Sequence, residues 1–82
     1  MSEFDLDYLI LGGGAVGCIF GGLLSNSGRS VQIINRSLKT VESIKKNGLH
    51  LELNDKKINC FPKAGNPSDA LTARVVMVFT KT

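Results

Sequence analysis

The chain has 82 residues, of which 43% are hydrophobic and 21% charged, and its formal net charge at pH 7 is +3. This length allows one small domain, and the dispersed basic residues argue against nucleic-acid binding, which usually needs a clustered basic patch. The chain begins with acidic residues, and no apolar stretch reaches the ~20 residues that a membrane span needs, so we expect a cytoplasmic protein without membrane contact.

The first third of the chain has the pattern of a βαβ unit. Residues 8–11 (YLIL) form a short apolar run, typical of a strand that is buried on both faces of a parallel sheet. A glycine cluster ends this run, and residues 15–27 then carry apolar side chains at helical spacing. Gly28 stands where a glycine commonly ends a helix. The apolar stripe of this helix comprises Val16, Ile19, Phe20, Leu23 and Leu24.

A second strand and a second helix follow. Residues 30–35 (SVQIIN) predict the strand, and Ser37 is suited to cap the next helix. The glycine of Asn47-Gly48 is expected to end that helix. Its buried face is expected to consist of Leu38, Val41 and Ile44.

A hairpin and a further strand complete the chain. Apolar and polar residues alternate over 49–53, and less cleanly over 57–61, around a polar turn at 54–56. We expect residues 62–67 to be a loop, with a short helix starting at Asn66-Pro67. The apolar run VVMVF, the five residues up to Phe79, predicts another central strand. The expected fold is α/β: a Rossmann-type, mostly parallel sheet with helices on its faces, truncated after about its first half, with a β-hairpin insertion.

The glycine cluster after the first strand has the spacing G-x-G-x-x-G. In this pattern Gly12 permits the tight turn, Gly14 lets the backbone approach a pyrophosphate, and Gly17 lets the helix lie close to the strand. Ala15 and Val16 lie at the helix N-terminus, whose unpaired N–H groups favour a phosphate. The alternative is that the glycines only form a tight turn. Because the strand, helix and second strand occur in the expected order, we predict a dinucleotide cofactor.

The end of the second strand indicates which dinucleotide binds. An NAD or FAD site usually has Asp or Glu there to bind the ribose hydroxyls, and this chain has Asn35 instead. Arg36 can pair with a 2′-phosphate, and Ser37 can add a hydroxyl. The alternative is an exposed arginine beside a capping serine. We predict NADP(H).

Residues 9–37 (LILGGGAVGCIFGGLLSNSGRSVQIINRS) resemble the start of ketopantoate reductases, or 2-dehydropantoate 2-reductases. Gly48-Leu49, Asn66-Pro67 and the closing VVMVFTKT also match that family's order. The resemblance covers nearly all 82 residues, but only the front of such an enzyme. Arg74 departs from the family, which usually has Asp before the last strand, so a local capping or pairing interaction is expected to differ.

The resemblance implies a specific reaction. Ketopantoate reductases reduce the ketone of 2-dehydropantoate to pantoate with NADPH, on the route to pantothenate and coenzyme A. By this resemblance the three glycines hold the pyrophosphate, Arg36 holds the 2′-phosphate, and Lys81, preceded by Thr80, lies beside the cofactor. The alternative for Lys81 is an ordinary exposed lysine.

The resemblance also implies what this chain lacks. The family's catalytic lysine and substrate-binding residues belong to a second, helical domain beyond Thr82. Residues 1–82 are then a partial NADP(H)-binding Rossmann domain with no catalytic residue of its own. We expect such a chain to bind the cofactor without converting a 2-oxo acid substrate, and its open sheet edge to permit self-association.

We expect no catalytic or metal-binding role for the other residues with reactive side chains. Cys18 and Cys60 are expected to be reduced and His50 to be a surface residue, and one histidine with two distant cysteines cannot form a zinc site. Asp5 and Asp7 are expected to be solvated.

The sequence leaves three other functions to be distinguished from this one. A module that senses a dinucleotide without chemistry, or another NADP-dependent dehydrogenase acting on a different 2-oxo or hydroxy substrate, would share the glycine loop. An FAD-dependent oxidoreductase is disfavoured because no acidic residue stands near Asn35.

Overall fold

The computed structural model describes residues 4–12 and 14–79. Within these residues, two helices, a 3₁₀ turn and six strands follow one another. In order they are β1 (Leu6–Gly12), α1 (Gly14–Asn26), β2 (Val31–Ile34), α2 (Leu38–Asn47), β3 (Leu49–Leu53), β4 (Lys56–Cys60), β5 (Lys63–Gly65), the 3₁₀ turn (Pro67–Asp69) and β6 (Ala73–Phe79).

Four of the strands form a parallel sheet in the order β5-β2-β1-β6, while β3 and β4 form a separate antiparallel pair. This is the 3-2-1-4 order with which a doubly wound dinucleotide-binding sheet begins. The expected α/β class, the parallel sheet and the hairpin insertion are therefore confirmed.

The core lies on both faces of β1 and β2, as their continuous apolar runs predict. On one face Ile10 and Ile33 are almost fully buried and share a cluster with Val41 and Ile44 of α2, and α1 approaches both isoleucines at Gly21. A second, smaller cluster consists of Leu6, Leu9 and Ile34, and Leu9 and Ile34 lie on the opposite face of the sheet because they alternate with Ile10 and Ile33. Leu38, which was expected to be buried with Val41 and Ile44, is instead exposed, because it lies in the first turn of α2, beyond the end of β2.

Helix α1 lies between the parallel sheet and the hairpin, and two adjacent glycines make this possible. A Cβ atom on Gly21 would lie 2.8 Å from Cδ1 of Ile33 in the sheet. A Cβ atom on Gly22 would lie 2.6 Å from Cδ1 of Leu51 and 3.2 Å from Sγ of Cys60 in the hairpin. The hairpin therefore packs on a different side of α1 from the sheet, since adjacent helical residues point about 100° apart.

The ends of both helices follow the expected capping chemistry. At the end of α1, Gly28 has φ +92°, its N–H donates to the Ser25 carbonyl, and the Arg29 N–H donates to the Leu24 carbonyl. This is the Schellman arrangement that a glycine at this position predicts. Helix α2 begins at the capping residue Ser37 and ends at Gly48, whose N–H donates to the Ile44 carbonyl.

The segment predicted to be a loop at 62–67 contains the short strand β5. It pairs with β2 in parallel, with Ile33 opposite Ala64. The prediction was wrong because the sequence Lys-Ala-Gly has no strand preference of its own, and pairing with β2 determines its conformation.

Strand β6 was expected to be central and lies at an edge of the described sheet. Its side chains therefore remain accessible, with Val78 at 60% exposure, and most of the apolar stripe of α1 is exposed beside it. These exposed apolar residues are here called the β6 patch, and they lie on both faces of the sheet edge, because Val76 and Val78 alternate with Val75 along the strand. The patch comprises Val16, Ile19, Phe20, Leu23, Val75, Val76 and Val78.

Asp5 and Asp7 were expected to be solvated, but their carboxylates accept hydrogen bonds from residues that precede the neighbouring strands. Oδ2 of Asp7 accepts hydrogen bonds from the Ser30 N–H (3.1 Å) and hydroxyl (3.2 Å). Oδ2 of Asp5 accepts from the N–H and hydroxyl of Thr72. The pKa of Asp7 lies below its ordinary value, mainly because the Ser30 N–H donates to the carboxylate. Loss of solvent around the carboxylate acts in the opposite direction and raises the pKa, while the charges of Arg29 and Arg74 lower it further.

Candidate cofactor-binding site

The strand order reverses direction between β1 and β6. From β1 the chain proceeds to β2 and β5 on one side, and then returns to β6 on the other side. Open parallel sheets bind ligands outside the carboxyl ends of their strands at such a reversal. Gly12 ends β1, Phe79 ends β6, and the two residues are paired in the sheet. The predicted glycine loop therefore lies at this reversal.

The first and third glycines of the loop are required by the backbone around them. Gly12 has φ +71°, and a Cβ atom there would lie 2.8 Å from the Phe79 carbonyl oxygen. A Cβ atom on Gly17 would overlap the Gly12 carbonyl oxygen and lie 3.3 Å from Cγ2 of Ile10. The turn at Gly12 and the close approach of α1 to β1 at Gly17 agree with the roles that the spacing predicts.

Helix α1 begins at Gly14, directly outside the end of β1. Its first turn includes Gly14, Ala15 and Val16 and contains no acidic residue. The N–H groups of a first helical turn have no partners within the helix, and no carboxylate here would repel an anion. Thr80 and Lys81 lie outside the described residues, so their expected places beside the cofactor stay predictions.

The second predicted cluster follows β2, the strand next to β1. Oδ1 of Asn35 accepts a hydrogen bond from the Ser37 N–H at 2.9 Å, and the Ser37 hydroxyl accepts one from the Thr40 N–H at 3.3 Å. Arg36 lies between them and is exposed. The sheet thus brings the glycine loop and the Arg36 segment to the carboxyl ends of adjacent strands, while Asn35 and Ser37 already make local hydrogen bonds.

The aromatic neighbour of the loop could not be identified from the sequence alone. The ring of Phe79 stacks on that of Phe20, with 5.4 Å between centroids and 25° between planes. This pair joins α1 to the end of β6, next to Gly12. The only sequence signal was that both residues are apolar, because their contact depends on the register of β6 against β1.

The thiols and the histidine do not form a reactive site in the described residues. Burial raises the pKa of both Cys18 and Cys60, which favours the protonated thiols, and both cysteines are free. His50 forms a hydrogen bond with Asn59 across the hairpin. In residues 4–12 and 14–79 there is no group of His, Cys, Asp and Glu that could hold a metal ion.

Two other features bear on ligands and membranes. A cavity of about 480 Å³ lies beside β5 and has no lining residue from the glycine loop or from residues 35–37. Within the described part of the chain, no helix is long and apolar enough to cross a membrane.

Comparison with known proteins identifies the family. The family model described as ketopantoate reductase PanE/ApbA matches residues 8–82. The chain belongs to the ketopantoate reductase family. A 2-dehydropantoate 2-reductase of Pyrococcus horikoshii is 49% identical over 51 residues, which make up 61% of this chain and 17% of that protein.

Solved structures of ketopantoate reductases share this fold. The probable 2-dehydropantoate 2-reductase of Bacillus subtilis superposes with a TM-score of 0.82 at 22% identity, over 94% of this chain and 26% of that one. The putative enzyme of Enterococcus faecalis gives 0.82 at 25% identity, with the same coverage.

A D-mandelate dehydrogenase with NADH and anilino(oxo)acetate gives a TM-score of 0.78 at 28% identity, over 92% of this chain and 25% of that one. This chain thus spans about a quarter or less of each relative's length.

Proposed function

We propose that this chain supplies the NADP(H)-binding part of a reductase that converts 2-dehydropantoate to pantoate. The proposal rests on two segments that lie close together at the carboxyl ends of the strands. The glycine loop between β1 and α1 and the exposed Arg36 after β2 lie at the carboxyl ends of neighbouring, paired strands.

The residues present fit such a cofactor. Gly12 permits the tight turn out of β1 and Gly17 the close packing of α1 on β1, and together they bring the first turn of α1 to the end of β1, where this motif binds a pyrophosphate. Gly14 lets the backbone come close to it. Arg36 provides a fixed positive charge and paired N–H donors for a 2′-phosphate. When bound, NADPH supplies the hydride for a ketone carbon, while these residues bind and orient it.

The proposal divides the work between two parts of a longer protein. Residues 1–82 bind the cofactor, with Thr80 and Lys81 beside it, and carry no catalytic residue. A helical domain beyond Thr82 binds the 2-oxo acid and supplies the catalytic groups. The whole enzyme acts in the cytoplasm, in pantothenate and coenzyme A biosynthesis.

A second candidate is a dehydrogenase of the same fold that acts on another 2-oxo or hydroxy acid. The structural similarity to D-mandelate dehydrogenase, with a TM-score of 0.78 against 0.82 for the two ketopantoate reductases, favours keeping it. Substrate choice depends on residues outside this chain. It is tested by comparing 2-dehydropantoate with an aryl 2-oxo acid as substrates of the longer polypeptide that contains this chain.

A chimera tests the cofactor-binding role. The segment of the Pyrococcus horikoshii enzyme that corresponds to residues 8–82 is replaced by this chain's residues, and NADPH oxidation is followed with and without 2-dehydropantoate. We expect substrate-dependent oxidation of NADPH that falls when Arg36→Ala is introduced. A soluble, folded chimera that fails to bind NADPH would contradict the proposal.

A further inference from the structure

We propose that the cavity beside β5 is a second ligand site, and that it takes a flat-ringed organic anion. This site, here called the β5 cavity, has a volume of about 480 Å³, which lies in the range of small-molecule pockets. None of its lining residues belongs to the glycine loop or to residues 35–37, so the site is separate from the proposed cofactor site.

An aromatic ring forms part of the apolar lining of the β5 cavity. Phe61 is 72% exposed, but one edge of its ring lies against the end of α2, since a Cβ atom built on Gly48 would be 2.7 Å from both Cδ1 and Cε1. An exposed ring that is held in this way can stack on a flat ligand with little loss of side-chain freedom. Ile44 and Ala64, both buried, supply further apolar lining.

The polar lining carries a net positive charge. Lys45 of α2 and Lys63 of β5 are exposed at the cavity. Among the described lining residues the only carboxylate is that of Asp69, and its Oδ2 already accepts the Asn66 N–H at 3.0 Å. Two ammonium groups therefore remain for the carboxylate, sulfonate or phosphate of a ligand.

Gln32 adds a neutral donor to this lining. Its side chain is buried, and its amide nitrogen carries two N–H groups. In the part of the chain that the structure describes, the bond to the Asp69 carbonyl uses one of them and the other has no partner. A ligand oxygen in the cavity would supply that partner.

The form of β5 favours a small molecule over an added peptide strand. Strand β5 lies at an edge of the described sheet, but it is only three residues long, carries Lys63 and is soon followed by Pro67. Short length, lysine and proline all oppose the pairing of an edge strand with another chain.

The two lysines at the end of α2 provide a matched comparison. Lys45 and Lys46 both lie in the last turn, where a positive charge complements the helix dipole. Only Lys45 lines the cavity, and Lys63 lies on a strand, where the dipole of α2 does not account for it.

The experiment titrates the isotope-labelled 82-residue chain with 1-naphthoate and follows the backbone amide resonances by NMR. The neutral analogue 1-naphthylmethanol is titrated in parallel. We expect 1-naphthoate to shift the resonances of Ile44, Lys45, Phe61, Lys63 and Ala64. The neutral analogue should bind there about threefold or more weakly, the scale of an exposed ion pair.

Variants then test the two kinds of contact. Lys63→Gln and Phe61→Ala should each weaken 1-naphthoate binding at these resonances about threefold or more, and both should keep the dispersed spectrum of the fold, because both side chains are exposed. Lys46→Gln and Leu38→Ala are the controls, since they remove an exposed lysine and an exposed apolar side chain of α2 that do not line the cavity. They should leave the affinity unchanged.

Three results would overturn the inference. The lining resonances could fail to move with 1-naphthoate, or they could move equally with the neutral analogue. Lys46→Gln could also weaken binding as much as Lys63→Gln does, which would mean that the anion is attracted to basic surface in general. The proposed function would stand in each case, because the glycine loop and Arg36 are not involved.

Discussion

Gly12 and Phe79 approach so closely at the ends of β1 and β6 that a Cβ atom on Gly12 would lie 2.8 Å from the Phe79 carbonyl oxygen. Gly12 also has φ +71°, where any other residue is strained by roughly 1–2 kcal/mol. Gly28 offers a matched control, because its φ is +92° and nothing lies within 4 Å of a Cβ atom built there.

We therefore expect Gly12→Ala to lower the free energy of unfolding by more than Gly28→Ala does. Gly28→Ala should lose about 1–2 kcal/mol from backbone strain alone, whereas Gly12→Ala adds the overlap with Phe79. Urea denaturation of both variants measures the difference. If both variants lost the same free energy of unfolding, the ends of β1 and β6 would have to separate easily, which would contradict the close approach of Gly12 and Phe79.

Asp7 should make the free energy of unfolding decrease at low pH. Because its pKa in the folded chain is lowered, its contribution is present above the unfolded-state pKa, ordinarily 3.8, and is lost as the pH falls through the folded-state value. Asp7→Asn should be less stable than the unchanged chain at pH 7, and the difference should shrink well below pH 3.8.

Urea midpoints at both pH values test this, with Glu42→Gln as a control for the loss of a surface carboxylate on α2. A difference between Asp7→Asn and the unchanged chain that persists unaltered in acid would contradict the assignment.

Gln32 is a buried polar residue in an otherwise apolar strand. Its amide nitrogen donates to the Asp69 carbonyl at 3.1 Å and its oxygen accepts from the Leu71 N–H at 2.9 Å. Gln32→Met keeps the approximate volume but leaves both backbone groups unpaired, and should cost about 1–3 kcal/mol for each group that stays buried. Thermal unfolding measures the loss. A variant as stable as the unchanged chain would mean that water replaces both hydrogen bonds.

The β6 patch should promote self-association of the chain. A sheet edge with accessible apolar side chains readily pairs with another chain, and a lysine on such an edge opposes this pairing. We expect Val78→Lys to reduce association in sedimentation velocity. Leu38→Lys is the matched control, because Leu38 and Val78 are both 60% exposed and Leu38 lies on α2, away from β6. Equal effects of the two substitutions would show that general hydrophobicity, and not the edge, drives association.

Local sequence signals predicted the elements that depend on local chemistry. The capping residues Ser37 and Gly28, the glycine loop and the alternating hairpin strands were recognisable because each satisfies its own backbone requirements. At the hairpin tip, Asn54 and Asp55 have positive φ, as residues of this type readily adopt in a two-residue turn.

Features that depend on pairing between distant segments could not be predicted in this way. Strand β5 exists because it pairs with β2, and Phe79 reaches Gly12 because of the register of β6. At the candidate site, the sequence identified Asn35 as a possible ligand. That its amide oxygen accepts the Ser37 N–H became apparent only from the folded turn.

The most direct test of the account compares NADPH and NADH binding to the 82-residue chain and its Arg36→Ala and Arg29→Ala variants by titration calorimetry. Both arginines are exposed and flank β2 at opposite ends, so Arg29 controls for the loss of one positive charge. We expect the unchanged chain to bind NADPH more tightly than NADH. Arg36→Ala should weaken NADPH binding about tenfold or more and leave the NADH affinity unchanged. Arg29→Ala should leave the affinities for both dinucleotides unchanged. Equal affinities for the two dinucleotides, or NADPH binding that survives Arg36→Ala intact, would contradict it.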